Sequence, residues 1–140
     1  HATRKLGNGS ELLDQVRDMS AGDAVALRRT ANGLKVVELA RRLGVGQPNF
    51  VSMIECANAK VPLARTRDFA RALELPEVWF LERVIASRVQ KEGSGLHEML
   101  FGRAGLLREA YEASLADAVE LFRQQAIRAV TRPVPILRNG

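Results

Sequence analysis

Apolar residues recur every three or four positions along most of this chain, which is the spacing of an amphipathic α-helix. The clearest pattern runs from residue 35 to residue 60. Its first half carries an apolar stripe and stops at Gly44, a residue suited to the left-handed conformation that ends helices. Its second half starts near Gln47, with Pro48 in the first turn, where a missing N–H leaves no hydrogen bond unmade. The pattern predicts two short helices joined by a tight turn.

The same spacing predicts further helices on both sides of this pair. They cover residues 21–31, a stretch opened by Pro62 and a stretch opened by Pro76. No segment alternates apolar and polar residues, so no β-sheet is expected. The prediction is therefore an all-α protein with a compact five-helix bundle over residues 20–90. Residues 1–19 are expected to form an N-terminal arm or a short helix.

The chain beyond the bundle carries a second kind of apolar pattern. Residues 91–95 read KEGSG, which is typical of a linker, and a long helix is predicted from about residue 104 to residue 130. Apolar positions spaced by three, four or seven form a nearly heptad seam along this region. They are Leu100, Leu107, Tyr111, Leu115, Ala118 and Phe122.

A long amphipathic helix must bury its stripe somewhere. Packing against a second copy is the favoured interpretation, which makes residues 96–131 a dimerisation or partner-binding region. The alternative is that the helix folds back on the bundle of its own chain. Residues 132–140 contain Pro133 and Pro135 and are predicted to be an extended tail.

The distribution of charged residues along the chain indicates what kind of partner the bundle could bind. The net charge is +5 over 140 residues. Residues 20–92 hold twelve basic and eight acidic residues, whereas the flanking segments are close to neutral. A basic bundle suits a polyanion, although such a charge also serves solubility alone.

No apolar run approaches the ~20 residues of a membrane span, and a single cysteine with two histidines offers little for a zinc site.

The predicted helix pair resembles the lambda-repressor-like (XRE-type) helix-turn-helix family over about residues 20–90. The residues that carry the resemblance are Gly33-Leu34, Glu38-Leu39-Ala40, Leu43-Gly44-Val45, Gln47 and Ser52-Met53-Ile54-Glu55. The resemblance implies double-stranded DNA as partner, usually bound by a homodimer, in a cytoplasmic, nucleoid-associated protein. The residues themselves lead us to expect no cofactor, no metal and no enzymatic activity. The family's helix end usually contains glycine, where this chain has Cys56-Ala57.

By position in the family motif, four residues would face base edges in the major groove. They are Gln47, Pro48, Asn49 and Ser52. Lys35 would lie by the DNA backbone, and further phosphate contacts are predicted from charge and location. Those residues are Arg28, Arg41, Asn58, Lys60 and Arg65.

The register of the second motif helix stays open at the level of sequence, because the chain has one residue more than the commonest family pattern. Either Phe50 and Met53 or Val51 and Ile54 are buried, and the two choices differ by about 100° of rotation. In the second case the reading face shifts toward Asn49, Ser52 and Met53.

Three classes of function are therefore weighed. The leading one is a sequence-specific DNA-binding transcriptional regulator of prokaryotic or phage type. The alternative is an antitoxin or switch protein whose C-terminal helix binds a protein partner while the bundle binds DNA. An enzyme is disfavoured, since the sequence contains no phosphate-binding glycine loop, catalytic acid–base set or metal-ligand spacing.

Overall fold

The computed structural model describes residues 9–89 and 94–131, and every regular element in those residues is a helix. The all-α prediction is therefore confirmed for this part of the chain. The helices are α1 (Gly9–Arg17), α2 (Ala21–Ala31), α3 (Val36–Leu43), α4 (Pro48–Glu55), α5 (Thr66–Leu73), α6 (Glu77–Arg88), α7 (Ser94–Phe101) and α8 (Arg108–Thr131), with a 3-10 turn at Leu63–Arg65.

Two of the predicted boundaries differ from the observed ones. Helix α7 begins at Ser94, inside the predicted linker, and α8 begins at Arg108 rather than near residue 104. Residues 102–107 form a turn in which Leu107 N–H donates to the Leu100 carbonyl at 2.7 Å. The remainder of the predicted linker, the first eight residues and the predicted tail lie outside the described residues.

Tight turns between helices α2 to α6 follow from a repeated backbone motif. After α2 and α3 the chain turns at Gly33 and Gly44, both with positive φ. The same left-handed turn follows α4 at Ala57 and α5 at Glu74, with φ of 63° and 56°. In each case two N–H groups beyond the helix bond back to carbonyls of its last turn, which closes the helix end.

The core of the bundle is built by the apolar faces of α2 to α6. Phe69, Leu73, Trp79 and Phe80 are completely buried there, together with Leu39 of α3. Helix α1 adds Leu12 and Val16 to the same core, and the indole N–H of Trp79 donates to the Val16 carbonyl at 3.2 Å. The short N-terminal helix is thus part of the folded body.

Helix α8 folds back and packs across α1 and α6. Phe122 is fully buried, and its ring meets the Trp79 ring edge-on with centroids 5.8 Å apart. The Trp79 backbone N–H donates to Ser114 Oγ at 2.8 Å, and Gln125 Nε2 donates to the Leu27 carbonyl at 3.2 Å. One continuous core therefore joins the bundle and the C-terminal helix.

This packing accounts for the apolar seam assigned to dimerisation. Tyr111, Ala118 and Phe122 are buried inside the chain. Leu100, Leu107 and Leu115 are half-buried against the same core. The alternative of a fold-back helix describes the observed state, because the free energy of burying the stripe is gained within one chain. The seam is consequently not an open surface for a second copy. None of the described helices is both long and apolar enough to cross a membrane.

Candidate nucleic-acid interface

Helices α3 and α4 pack against each other across a four-residue turn. Gly44 adopts φ 71°, and the N–H groups of Gly44 and Val45 bond back to the last turn of α3. The Arg65 guanidinium donates to the Leu43 carbonyl, which ties the end of α3 to the start of α5. Helix α4 then leaves the turn with Pro48 in its first position.

The register of α4 is resolved by burial. Val51 and Ile54 are 0% and 1% exposed, whereas Met53 is 37% exposed and Phe50 is half-buried. The second of the two registers left open by the sequence is therefore the observed one. Asn49, Ser52 and the lone Cys56, spaced by three and four residues, consequently share the outward side of the helix.

Helix α2 holds α4 in this orientation from behind. Arg29 binds Glu55 through two hydrogen bonds, of 2.6 Å from Nε and 2.9 Å from Nη2, and it also donates to the Leu34 carbonyl at 2.8 Å. The hydrogen bond to Glu55 raises the pKa of Arg29 above its ordinary value. Gly22 lies so close to α4 that a Cβ there would be 2.3 Å from the Ile54 carbonyl oxygen.

The outward side of α4 is polar, and the N-terminus of the helix is the positive end of its dipole. Gln47, Pro48 and Asn49 are exposed, and the first turn contains no acidic residue. Asn49 Nδ2 donates weakly to Met53 Sδ at 3.8 Å, so these two side chains lie side by side. A negatively charged partner is favoured at such a helix end.

Most of the predicted backbone-contacting residues are exposed. Lys35, Arg41, Asn58 and Lys60 all lie at the surface. The side chains of Arg41 and Lys60 make no hydrogen bond or ion pair with any described residue, so both are available to an anion. Arg65 is partly engaged, because it also pairs with Asp68 at 2.8 Å.

Arg28 corrects the sequence-based assignment. It is 6% exposed, and its guanidinium donates to the Leu73 carbonyl at 3.1 Å and to Gln125 Oε1 at 3.3 Å. Burial lowers the pKa of Arg28, and the nearby Glu74 carboxylate partly offsets that effect. A side chain used in this way inside the protein is not a phosphate ligand, so that prediction was wrong.

Arg42 is a cation that the sequence-based assignment omitted. It is exposed, has no charged partner among the described residues, and lines a groove between α3 and α5 with Arg65 and Arg71. The sequence held a signal for it, because Arg42 directly follows Arg41 at the polar edge of the α3 stripe.

Comparison with protein-family models, with curated proteins and with solved structures finds no match to this chain.

Proposed function

We propose that this protein is a sequence-specific DNA-binding transcriptional regulator of prokaryotic or phage type. In this proposal α2 to α6 form a lambda-repressor-like bundle, and α3 and α4 are its helix-turn-helix, with α4 lying in the major groove. One observation carries the proposal. The outward side of α4 is polar and free of acids in its first turn, its inward side is fixed to α2, and the same bundle exposes cations that pair with no described residue.

Base recognition falls to the exposed side chains of α4. The Asn49 amide can donate to and accept from adjacent groups of adenine, and Ser52 can bond to several bases. Met53 offers an apolar surface to the methyl group of thymine. Gln47 and Pro48 lie at the entrance of the helix, where they contact the flanking bases.

Affinity comes chiefly from charge. Arg41, Arg42, Lys35 and Lys60 would neutralise phosphates, with Asn58 as a neutral donor, and each neutralised phosphate releases counterions. Because these contacts do not depend on sequence, they set position and strength, whereas α4 sets specificity.

Paired half-sites follow if two copies bind together. Two copies of α4 would enter successive major grooves about 34–36 Å apart, so the site would contain a repeated or inverted half-site. A regulator of this type acts in the cytoplasm, on the nucleoid. Capture of α8 by another protein has no observation in its favour, since its apolar side is buried in the chain.

The test is a selection of bound duplexes from a random pool, followed by fluorescence anisotropy over a salt series. The selected duplex should bind at least about 10³-fold more tightly than a scrambled one, with a steep fall in affinity as salt rises. Asn49→Ala should cost about 1–3 kcal/mol and relax preference at one base pair. Gln124→Ala, which removes an exposed amide on α8, is the matched control and should change nothing.

Cys56 gives a second readout that needs no engineering. It is the only cysteine in the chain, it is exposed, and it follows Asn49 and Ser52 on the outward side of α4. Bound DNA should slow its reaction with a thiol reagent. Equal, weak affinity for both duplexes together with an unprotected Cys56 would contradict the proposal.

A further inference from the structure

Met53 is the large apolar residue that α4 leaves exposed. It is 37% exposed, whereas Val51 and Ile54 are fully buried. Met53 follows Asn49 by four residues, so the two side chains lie one turn apart on the same side of the helix. Asn49 Nδ2 donates to Met53 Sδ at 3.8 Å. Met53 can therefore influence how the Asn49 amide meets a base.

The contact with sulfur uses part of the hydrogen-bonding capacity of Asn49. A side-chain amide has two N–H donors and one carbonyl oxygen, and a thioether sulfur is a weak acceptor. The sulfur of Met53 takes one of the two N–H groups. No described residue bonds to the other N–H or to the oxygen. Asn49 held in this way presents one donor and one acceptor to a base.

One donor beside one acceptor distinguishes the two purines. In the major groove adenine presents the N7 acceptor and the N6–H donor, which match the two free groups of the amide. Guanine presents two acceptors, N7 and O6, so the amide oxygen would face a second oxygen. An amide free to turn could instead offer both of its N–H groups to guanine. The sulfur contact therefore favours adenine over guanine.

The far end of the Met53 side chain lies beside the same amide. Its methyl carbon is bonded to the sulfur that Asn49 contacts, and the N···S distance of 3.8 Å is close to the spacing of about 3.4 Å between stacked base pairs. The methyl group of Met53 would therefore meet the base pair next to the one that Asn49 reads. The C5-methyl group of thymine is the apolar group displayed there, and a flexible thioether adapts readily to it.

We propose that Met53 is both a positioning and a specificity-determining residue of α4. Its sulfur holds the Asn49 amide in the orientation that reads adenine, and its methyl group contacts thymine in the neighbouring base pair. Each half-site then contains an adenine directly beside a thymine whose C5-methyl group touches Met53. This inference rests on the proposed function, and it adds that two coupled residues read a dinucleotide as one unit.

Replacing single thymines of the selected duplex by uracil, which lacks the C5-methyl group, tests the thymine contact. The base pair read by Asn49 is the one at which Asn49→Ala relaxes the preference. Uracil beside that base pair should weaken binding about fourfold, the effect of one buried methyl group. Met53→Ala should bind the thymine and uracil duplexes equally. Met99→Ala, at a methionine of α7 that is 61% exposed, is the matched control and should keep the fourfold difference.

The preference for adenine over guanine at the base pair read by Asn49 tests the positioning role. Met53→Leu keeps an apolar side chain but removes the sulfur acceptor. It should keep the response to uracil and reduce the preference for adenine by about threefold, the effect of one modest hydrogen bond. In an Asn49→Ala background the same substitution should leave that preference unchanged, because no amide remains to be held.

Both readouts are ratios of affinities measured on one protein, so a general loss of stability in a variant does not move them. Specific binding that does not respond to uracil beside the adenine would overturn the inference and leave the proposed function intact. An unchanged preference for adenine in Met53→Leu would have the same meaning. The absence of any specifically bound duplex would overturn both.

Discussion

Ala57 shows at the scale of one residue how a local backbone requirement can outweigh side-chain preference. It has φ 63°, a conformation in which a Cβ crowds the following carbonyl. The turn is nevertheless well formed, with Ala57 N–H donating to Ile54 at 3.1 Å and Asn58 N–H to Met53 at 2.8 Å. Glycine occupies the equivalent positions after α2 and α3, so this α4 end carries strain that those ends avoid.

Ala57→Gly should therefore stabilise the protein by about 1 kcal/mol, since relief of the left-handed strain exceeds the added entropy of the unfolded chain. Chemical denaturation measures the change in the free energy of unfolding. Gly44→Ala is the mirror-image control and should destabilise by a similar amount. A lower stability for Ala57→Gly would mean that the methyl group makes a packing contribution larger than the strain.

The adjacent arginines 28 and 29 mark the limit of residue-level prediction from sequence. Both lie in the last turn of α2 and look alike in the printed sequence. Arg28 is turned into the core toward the Leu73 carbonyl, whereas Arg29 reaches α4 through Glu55. Their partners are 45 and 26 residues away in the chain, so no local pattern could assign either contact.

At the scale of the elements, periodicity predicted helices well but not their docking. The stripe of α8 was visible in the sequence, and the same stripe suits a second copy or the chain's own bundle equally. The deciding factor is the complementary surface on α1 and α6, which includes the Trp79 N–H that donates to Ser114 of α8. The register of α4 was likewise open until the burial of Val51 and Ile54 selected one side.

Phe122→Ala tests the docking of α8. Removing a fully buried phenyl ring should lower the free energy of unfolding by about 3–5 kcal/mol. The fluorescence of Trp79, the only tryptophan, should change because its ring packs on Phe122. Arg123→Ala, the next and exposed residue of α8, is the control. Identical stability and fluorescence in both variants would show that α8 does not pack on α6 in solution.

At the scale of the whole molecule, one titration reports on global stability. Burial and the nearby Glu82 raise the pKa of Tyr111 above its ordinary value of 10.0, with nearby arginines opposing the effect. Between pH 10.0 and the raised pKa of the folded protein, the unfolded chain has lost the phenolic proton while the folded state still holds it. Stability therefore falls as pH rises through this window and stops falling once the folded pKa is passed. The slope from this residue is at most about 1.4 kcal/mol per pH unit.

Tyr111 is the only tyrosine, so tyrosinate absorbance follows it alone. The midpoint should lie above the ordinary value in the folded protein and return to that value in denaturant. Tyr111→Phe should make the loss of stability at alkaline pH less steep. An unshifted midpoint would mean that the α1, α6 and α8 junction admits water around the phenol.

The position of α8 also has a consequence for how the chain folds during its synthesis. Helix α1 leaves the ribosome before α8, which packs against it in the native core and lies about a hundred residues later. Until Phe122 has emerged, α1 and the Trp79 region of α6 can contact each other but lack the cover that α8 provides in the native core. The nascent chain can begin folding at α2 to α5, whose contacts span shorter stretches of the chain than the contact of α1 with α8, but it completes its core only after synthesis has reached α8. A chain truncated before α8 would therefore expose apolar surface to chaperones and proteases.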